Sequence, residues 1–155
     1  MNLTTALTGV GPAMQSKFLR DSAMRDAFVL VVEDDPKLVG QIQDIFGPQV
    51  LALEAAGTLF EARKMIEGHL PGLVLLDRNL PDGDGIDLCA ELRTKDRCRR
   101  IPILFMSELK DAEECVRSLK AGGDDYLPKP FHPEELFVRA GALLRRIRRL
   151  ERSFA

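Results

Sequence analysis

Cysteine is scarce in this chain: Cys89, Cys98 and Cys115 are the only three, and no two of them form a C-x-x-C pair. An odd number cannot all be bridged to one another, so neither a disulfide framework nor a cysteine-built zinc site organises the fold, and a reducing cytoplasm is the expected compartment. Long apolar runs are missing too. None approaches the roughly 20 residues that a bilayer-spanning helix requires, so no membrane span is expected. A charge of one sign is also missing, since 22 basic residues face 24 acidic ones for a net charge of −2. No whole-chain field therefore draws the protein to nucleic acid or anionic lipid, and partners must be selected locally. Near the start, Leu3, Leu7 and Val10 stand as isolated apolar positions without the continuous stretch of an export signal.

What is present is the balance of a folded globular protein, 45% hydrophobic and 30% charged residues in 155, enough for one domain with a real core. Residues 1–27, with Gly9, Gly11 and Pro12 ahead of Phe18-Leu19, read as a flexible arm carrying at most a short helix. From Phe28 the pattern becomes regular. Phe28-Val29-Leu30-Val31-Val32 is an unbroken apolar run of the kind buried on both faces of a parallel sheet, and it ends in Glu33-Asp34-Asp35. Asp35 is placed to cap a helix that opens at Pro36 and repeats Leu38, Val39, Ile42, Ile45 and Phe46 at helical spacing. Val50-Leu51-Ala52-Leu53 reads as a weaker second strand, followed by a helix capped by Thr58. Leu73 to Asp77 is a third strand, Ile101 to Met106 a fourth, Asp111 to Ala121 a fourth helix, Asp125 to Pro128 a short fifth strand, and Pro133 opens a last helix. Alternating buried strands and amphipathic helices predict a doubly wound parallel α/β sheet, whose ligands bind beyond the carboxyl ends of the strands.

Those ends carry a distinctive set of groups. Strand one ends in Glu33 and Asp34, strand three in Asp77, strand four in Ser107, and strand five is followed by Lys129. With strands one and three adjacent, in the order 2-1-3-4-5, the acids fall within roughly 5 to 8 Å, because neighbouring strands lie ~4.8 Å apart. Like charges so close oppose ionisation unless something neutralises them. A hard divalent cation does this with oxygen ligands, typically one or two carboxylates plus a phosphoryl oxygen. The hydroxyl of Ser107 and the ammonium of Lys129 suit phosphoryl oxygens in turn. A single acid after a strand is ordinarily a solvated loop residue or a helix cap, and Asp35 fits that description; the whole set does not.

The order Val31-Val32-Glu33-Asp34-Asp35-Pro36, Leu75-Leu76-Asp77 with Pro81 and Gly85, Ser107, and Tyr126-Leu127-Pro128-Lys129-Pro130-Phe131 resembles the receiver domains of two-component response regulators. The resemblance spans residues 28–148 and implies a flavodoxin-like (βα)5 fold, with residues 149–155 extending the last helix. It implies that Asp77 accepts a phosphoryl group from a histidine kinase or a histidine phosphotransfer protein. It further implies a Mg2+ (or Mn2+) ion on Asp34 and Asp77, with Glu33 acting through water and Asn79 through its backbone carbonyl. Lys129, before a cis Pro130, would pair with the phosphoryl group, and Ser107 with Tyr126 would form a switch that alters the face of helix four, strand five and helix five. Asp125 and Arg139 would meet across a homodimer built on that face. Arg78 and Leu109 occupy positions that border the site in the family, while Glu108 stands where a small residue is usual, so phosphoryl lifetime does not carry over.

Two other readings compete. An aspartate-nucleophile phosphohydrolase would use similar acids, but Asp77-Arg78-Asn79 lacks the second acid two residues on that such enzymes use for acid/base work. A phosphate-independent interaction module of the same fold is motivated by Glu108 alone. On the last helix, Leu136, Ala140, Leu143, Ile147, Leu150 and Phe154 follow a heptad seam that predicts a coiled-coil extension. Arg145, Arg146, Arg148, Arg149 and Arg152 read as a solvated face rather than a nucleic-acid contact, for want of aromatics and a recognition fold. The output process stays open, as does whether the chain is a stand-alone regulator or a receiver from a longer one.

Overall fold

Five parallel strands form the sheet expected from the run of buried segments: β1 (Phe28–Val32), β2 (Ala52–Ala56), β3 (Leu73–Asp77), β4 (Ile103–Ser107) and β5 (Asp125–Pro128). Their spatial order is β2-β1-β3-β4-β5, a flavodoxin-like winding in which the chain reverses direction across the sheet between β1 and β3. The computed structural model describes residues 27–47, 50 and 52–153. Nearly all of the N-terminal arm, and Leu51 and Phe154, lie outside them. The helices are α1 (Pro36–Phe46), α2 (Leu59–Gly68), α3 (Gly85–Thr94), α4 (Ala112–Lys120) and α5 (Pro133–Ser153). A two-residue antiparallel ladder, Asn79–Leu80 against Gly83–Asp84, bridges β3 to α3.

Side chains alternate across the sheet and fill two cores. Val29, Val31, Leu73, Leu75, Leu104 and Met106 face α1 and α5, where they meet Ile42, Phe46, Phe137 and Ala140. Leu30, Val32, Val74, Leu76 and Phe105 face α2 and α3, where they meet Ala62, Ile66, Leu88 and Leu92. Because every residue of β1, β3 and β4 is buried, the unbroken apolar runs of the sequence are explained by burial on both faces.

Asp35 and Thr58 cap α1 and α2 as expected, accepting from the backbone N–H of Lys37 and Glu61, and Pro36 opens α1. Two strand bounds differ from the sequence reading. The second strand runs over Ala52–Ala56 rather than from Val50, because it is an edge strand defined only by its pairing with β1, where Phe28 faces Ala52. Its Ala-Leu-Glu-Ala-Ala sequence has little intrinsic preference for a strand. The fourth strand begins at Ile103: Ile101 N–H is spent closing a turn onto Cys98, and Pro102 has no N–H to give to a ladder.

The apolar stripe of α5 divides. Leu136, Ala140 and Leu143 are buried against the domain's own sheet, Ile147 is half-buried, and Leu150 is 48% exposed, so the first half of the expected seam is core rather than coiled coil. The helix itself continues to Ser153. Helix α4 is different again: Ser118 is its only buried residue, and Val116 and Leu119 are exposed. Among the described residues no helix is long and apolar enough to cross a membrane.

Candidate functional site

The register of the sheet builds the site. Val32 of β1 lies opposite Leu76 of β3, so the residues that follow, Glu33 and Asp77, emerge side by side at the carboxyl end of the sheet. One carboxylate oxygen from each of Glu33, Asp34 and Asp77 falls within 4.8 Å of the others, at the near edge of the separation expected from adjacent strands. Glu33 and Asp77 are buried, and Asp34 is exposed. With Asp35, Leu38, Asn79, Glu108 and Lys129 these three line a cavity of about 250 Å3. A wider groove of about 580 Å3, lined by Leu38, Gln41, Lys110 and Phe131 among others, adjoins it along α1 and shares Glu108 and Lys129.

Lys129 reaches into the acids from the end of β5. Its Nζ lies 2.6 Å from Glu33 Oε2 and 3.2 Å from Asp77 Oδ2, and its backbone N–H donates to Ser107 O at 2.7 Å. The Lys129–Pro130 peptide is cis, as the resemblance implies. Burial raises the Glu33 carboxyl, the hydrogen bond from Lys129 opposes it, the Asp77 charge adds to it, and the result is a value of about 7. Burial pulls the Lys129 ammonium down, but hydrogen bonding to Glu33 and the charge of Asp77 outweigh it and hold Lys129 above its ordinary range. The donor set is thus three carboxylates with one ammonium between two of them. Hard oxygen ligands gathered in this way, within reach of one ion, fit Mg2+ or Mn2+.

Ser107 ends β4 and is fully buried, one strand over from Asp77. Its Oγ accepts from the Leu109 N–H at 3.0 Å. Tyr126 on β5 is 7% exposed and lies in the core on the α2 and α3 side of the sheet, with its hydroxyl donating to the Leu109 carbonyl. Both members of the expected switch pair therefore hold the same residue, Leu109, by opposite ends of its backbone. Asp125 and Arg139 lie away from the acids and pair with one another within the chain, Nη1 to Oδ2 at 3.0 Å, while Arg139 also binds Glu135.

The structure adds contacts that sequence reasoning did not foresee. Asp82, in the loop after β3, accepts from the N–H groups of Leu59 and Phe60 at 2.8 and 3.0 Å and so caps α2 from 23 and 22 residues away in sequence. Only tertiary structure brings the two together, and no local pattern signals it. Gly85 begins α3 against the backbone of Asp77, where a Cβ would lie 3.1 Å from Leu76 Cγ and clash with the Asp77 carbonyl. Arg78 does not border the cavity; it turns to the opposite side of β3 and is almost completely buried.

Comparison with known proteins agrees with this geometry. Residues 29–140 match the family described as the response regulator receiver domain. The chain is 37% identical over 119 residues to Protein PetR of Rhodobacter capsulatus, covering 77% of this chain and 49% of that one. It is 42% identical over 122 residues to the transcriptional regulatory protein PhoP of Escherichia coli O157:H7, covering 76% and 52%. The chain thus spans about half the length of these curated relatives. Among solved structures, the receiver domain of a Francisella response regulator superposes with a TM-score of 0.72 at 32% identity, over 78% of this chain and 98% of that one. With the sheet order, the acidic strand ends and these similarities in agreement, the chain belongs to the receiver-domain family of two-component response regulators.

Proposed function

We propose that this receiver domain, residues 28–148, works as a Mg2+-dependent phosphorylation switch whose phosphoacceptor is Asp77. The observation that carries the reading is the placement of Lys129 Nζ between Asp77 Oδ2 and Glu33 Oε2, with Asp34 beside them. That cluster supplies a carboxylate nucleophile, a cation for the incoming phosphoryl oxygens and an acidic seat for a metal, the parts that aspartyl-phosphate chemistry needs.

Receiver domains bind Mg2+ at an acidic pocket of this kind. Here Asp34 and Asp77 would hold the ion directly, with Glu33 through water and the Asn79 backbone carbonyl completing the set; when bound, it neutralises the crowded acids and the phosphoryl oxygens together. An Asp77 carboxylate oxygen then forms a bond to phosphorus as the bond to the donor's histidine nitrogen breaks. Lys129, which bridges Glu33 and Asp77 in the free protein, would turn to pair with the phosphoryl oxygens. Ser107, released from the Leu109 N–H, donates its hydroxyl to a phosphoryl oxygen, and Tyr126 fixes the shifted loop through the Leu109 carbonyl. The change emerges on the face of α4, β5 and α5.

A histidine kinase or phosphotransfer protein is the proposed donor. A homodimer through the α4, β5 and α5 face is the proposed assembly; there Asp125 and Arg139, paired within the chain, would re-pair across the two-fold. The output belongs to whatever domain or partner acts with the receiver, as in relatives about twice its length.

A second reading, a phosphate-independent interaction module, is favoured by Glu108, whose carboxylate lines the cavity that a phosphoryl group would enter. Intact mass after incubation with Mg2+ and acetyl phosphate separates the two. The switch predicts a gain of one phosphoryl group that is absent in Asp77→Ala, and Lys129→Ala that still gains it but fails to change the α4 face. No gain, together with no binding of beryllofluoride, would favour the module.

A further inference from the structure

Arg78 follows Asp77 directly, yet its guanidinium lies beneath the β3 to α3 loop, 2% exposed and among the largest fully buried side chains of the domain. A charge so buried persists only where its donors are used. Nε and Nη2 grip Asp84 at 2.8 and 3.0 Å, Nη2 also reaches Glu114 Oε2 at 2.9 Å, and Nη1 donates to Ser118 Oγ at 3.2 Å. Ser118 passes its own hydroxyl hydrogen to the Glu114 carbonyl at 3.0 Å. Asp84 is at the same time the cap of α3, accepting from Ile86 N–H, and the Arg78 carbonyl accepts from Gly85 N–H.

Apart from contact with β5 and the ties of Cys89 and Arg93 to the carbonyls of Ala121 and Gly122 just past its end, helix α4 has few side-chain anchors. Its cap residue Asp111 makes no side-chain hydrogen bond, Val116 and Leu119 face solvent, and Cys115 is the one apolar residue of the helix that packs, only partly buried, on the core. The buried residue it does have, Ser118, is a ligand of Arg78.

We propose that Arg78 is a positioning residue that tethers α4 to the phosphorylation site, so that movement of the Asp77–Arg78 backbone is delivered to α4 through the Asp84–Arg78–Glu114/Ser118 network. The transmission half rests on the reading of Asp77 as acceptor; the tether itself does not. The fork matters as much as the charge, because a planar guanidinium can bind two carboxylates on different elements at fixed angles and an ammonium cannot.

Hydrogen exchange of the α4 amides in the full chain, with and without Mg2+ and beryllofluoride, tests this. Arg78→Met should speed exchange across residues 112–120 by roughly tenfold or more while leaving β1 and β3 amides slow. It should still take up one phosphoryl group by intact mass, yet lose the α4 response to beryllofluoride that the unaltered chain shows. Arg78→Lys should restore protection only in part, and Glu114→Gln, which leaves the Arg78–Asp84 grip in place, should loosen α4 alone. Unchanged α4 exchange in Arg78→Met, or a beryllofluoride response that survives it, overturns the proposal; if Arg78→Met does not fold, the same comparison in Glu114→Gln decides. Should the unaltered chain accept neither phosphate nor beryllofluoride, the acceptor reading and the transmission fail together, and exchange in the free protein still decides the tether.

Discussion

Lys129 and Glu114 show how single side chains set the balance of charge. Without a metal, Lys129 is the cation that makes the pairing of Glu33 and Asp77 tolerable, so Lys129→Ala should destabilise the metal-free domain by roughly 1–3 kcal/mol, the cost of leaving buried charged groups unsatisfied. Mg2+ should recover more stability in that variant than in the unaltered chain, as read from thermal melts with and without the ion. Glu114 illustrates the opposite shift. The hydrogen bond from Arg78, aided by Arg117, holds its carboxyl below the ordinary 4.5. A depressed carboxyl contributes stability that is present above the unfolded value and is lost as the pH falls through the folded one. The melting temperature of the unaltered chain should therefore exceed that of Glu114→Gln above about pH 4.5, and the difference should shrink on further acidification. A gap that stays constant with pH would mean that the ion pair is not what Glu114 contributes.

At the scale of elements, the strands and the helix stripes were legible because burial on two faces leaves unbroken apolar runs and burial on one face leaves a 3.6-residue period. What blurred was set by partners elsewhere in the chain. The edge strand β2, half-exposed and rich in alanine, takes its limits from β1, and the stripe of α5 reads like a coiled coil although Leu136, Ala140 and Leu143 pack on the domain itself. The acids, Ser107 and Lys129 were legible because they end or follow strands, whereas Tyr126, inside β5, was singled out only by the family resemblance. The polar hub at Arg78 was not, because its ligands lie 6, 36 and 40 residues away. Close approach was hidden in the same way: Gly85 looks like a loop glycine until the backbone of Asp77 is found against it. Gly85→Ala should cost roughly 1–3 kcal/mol by overpacking and should weaken beryllofluoride binding, since the end of β3 that bears Asp77 must move to admit a methyl group. Binding as tight as in the unaltered chain would show that the strand end gives way without disturbing the site.

Across the whole molecule, the carboxyl ends of the strands gather the acidic site, and the apolar cores on the two sides of the sheet hold its parts at fixed separation. A ligand that binds only this folded arrangement must stabilise it. Mg2+ with beryllofluoride at a hundred times the dissociation constant should add about 2.7 kcal/mol, seen as a rise in melting temperature that Asp77→Ala abolishes. Phosphotransfer to one atom group, the Asp77 carboxylate, underlies the whole switch, and that group can be marked chemically. After phosphorylation by acetyl phosphate with Mg2+, borohydride reduction converts an acyl phosphate to the corresponding alcohol, and peptide mass mapping locates the change. Homoserine is expected at position 77 and nowhere else; a mark on Asp34 or another residue, or no mark under conditions where beryllofluoride binds, would rule out Asp77 as the acceptor.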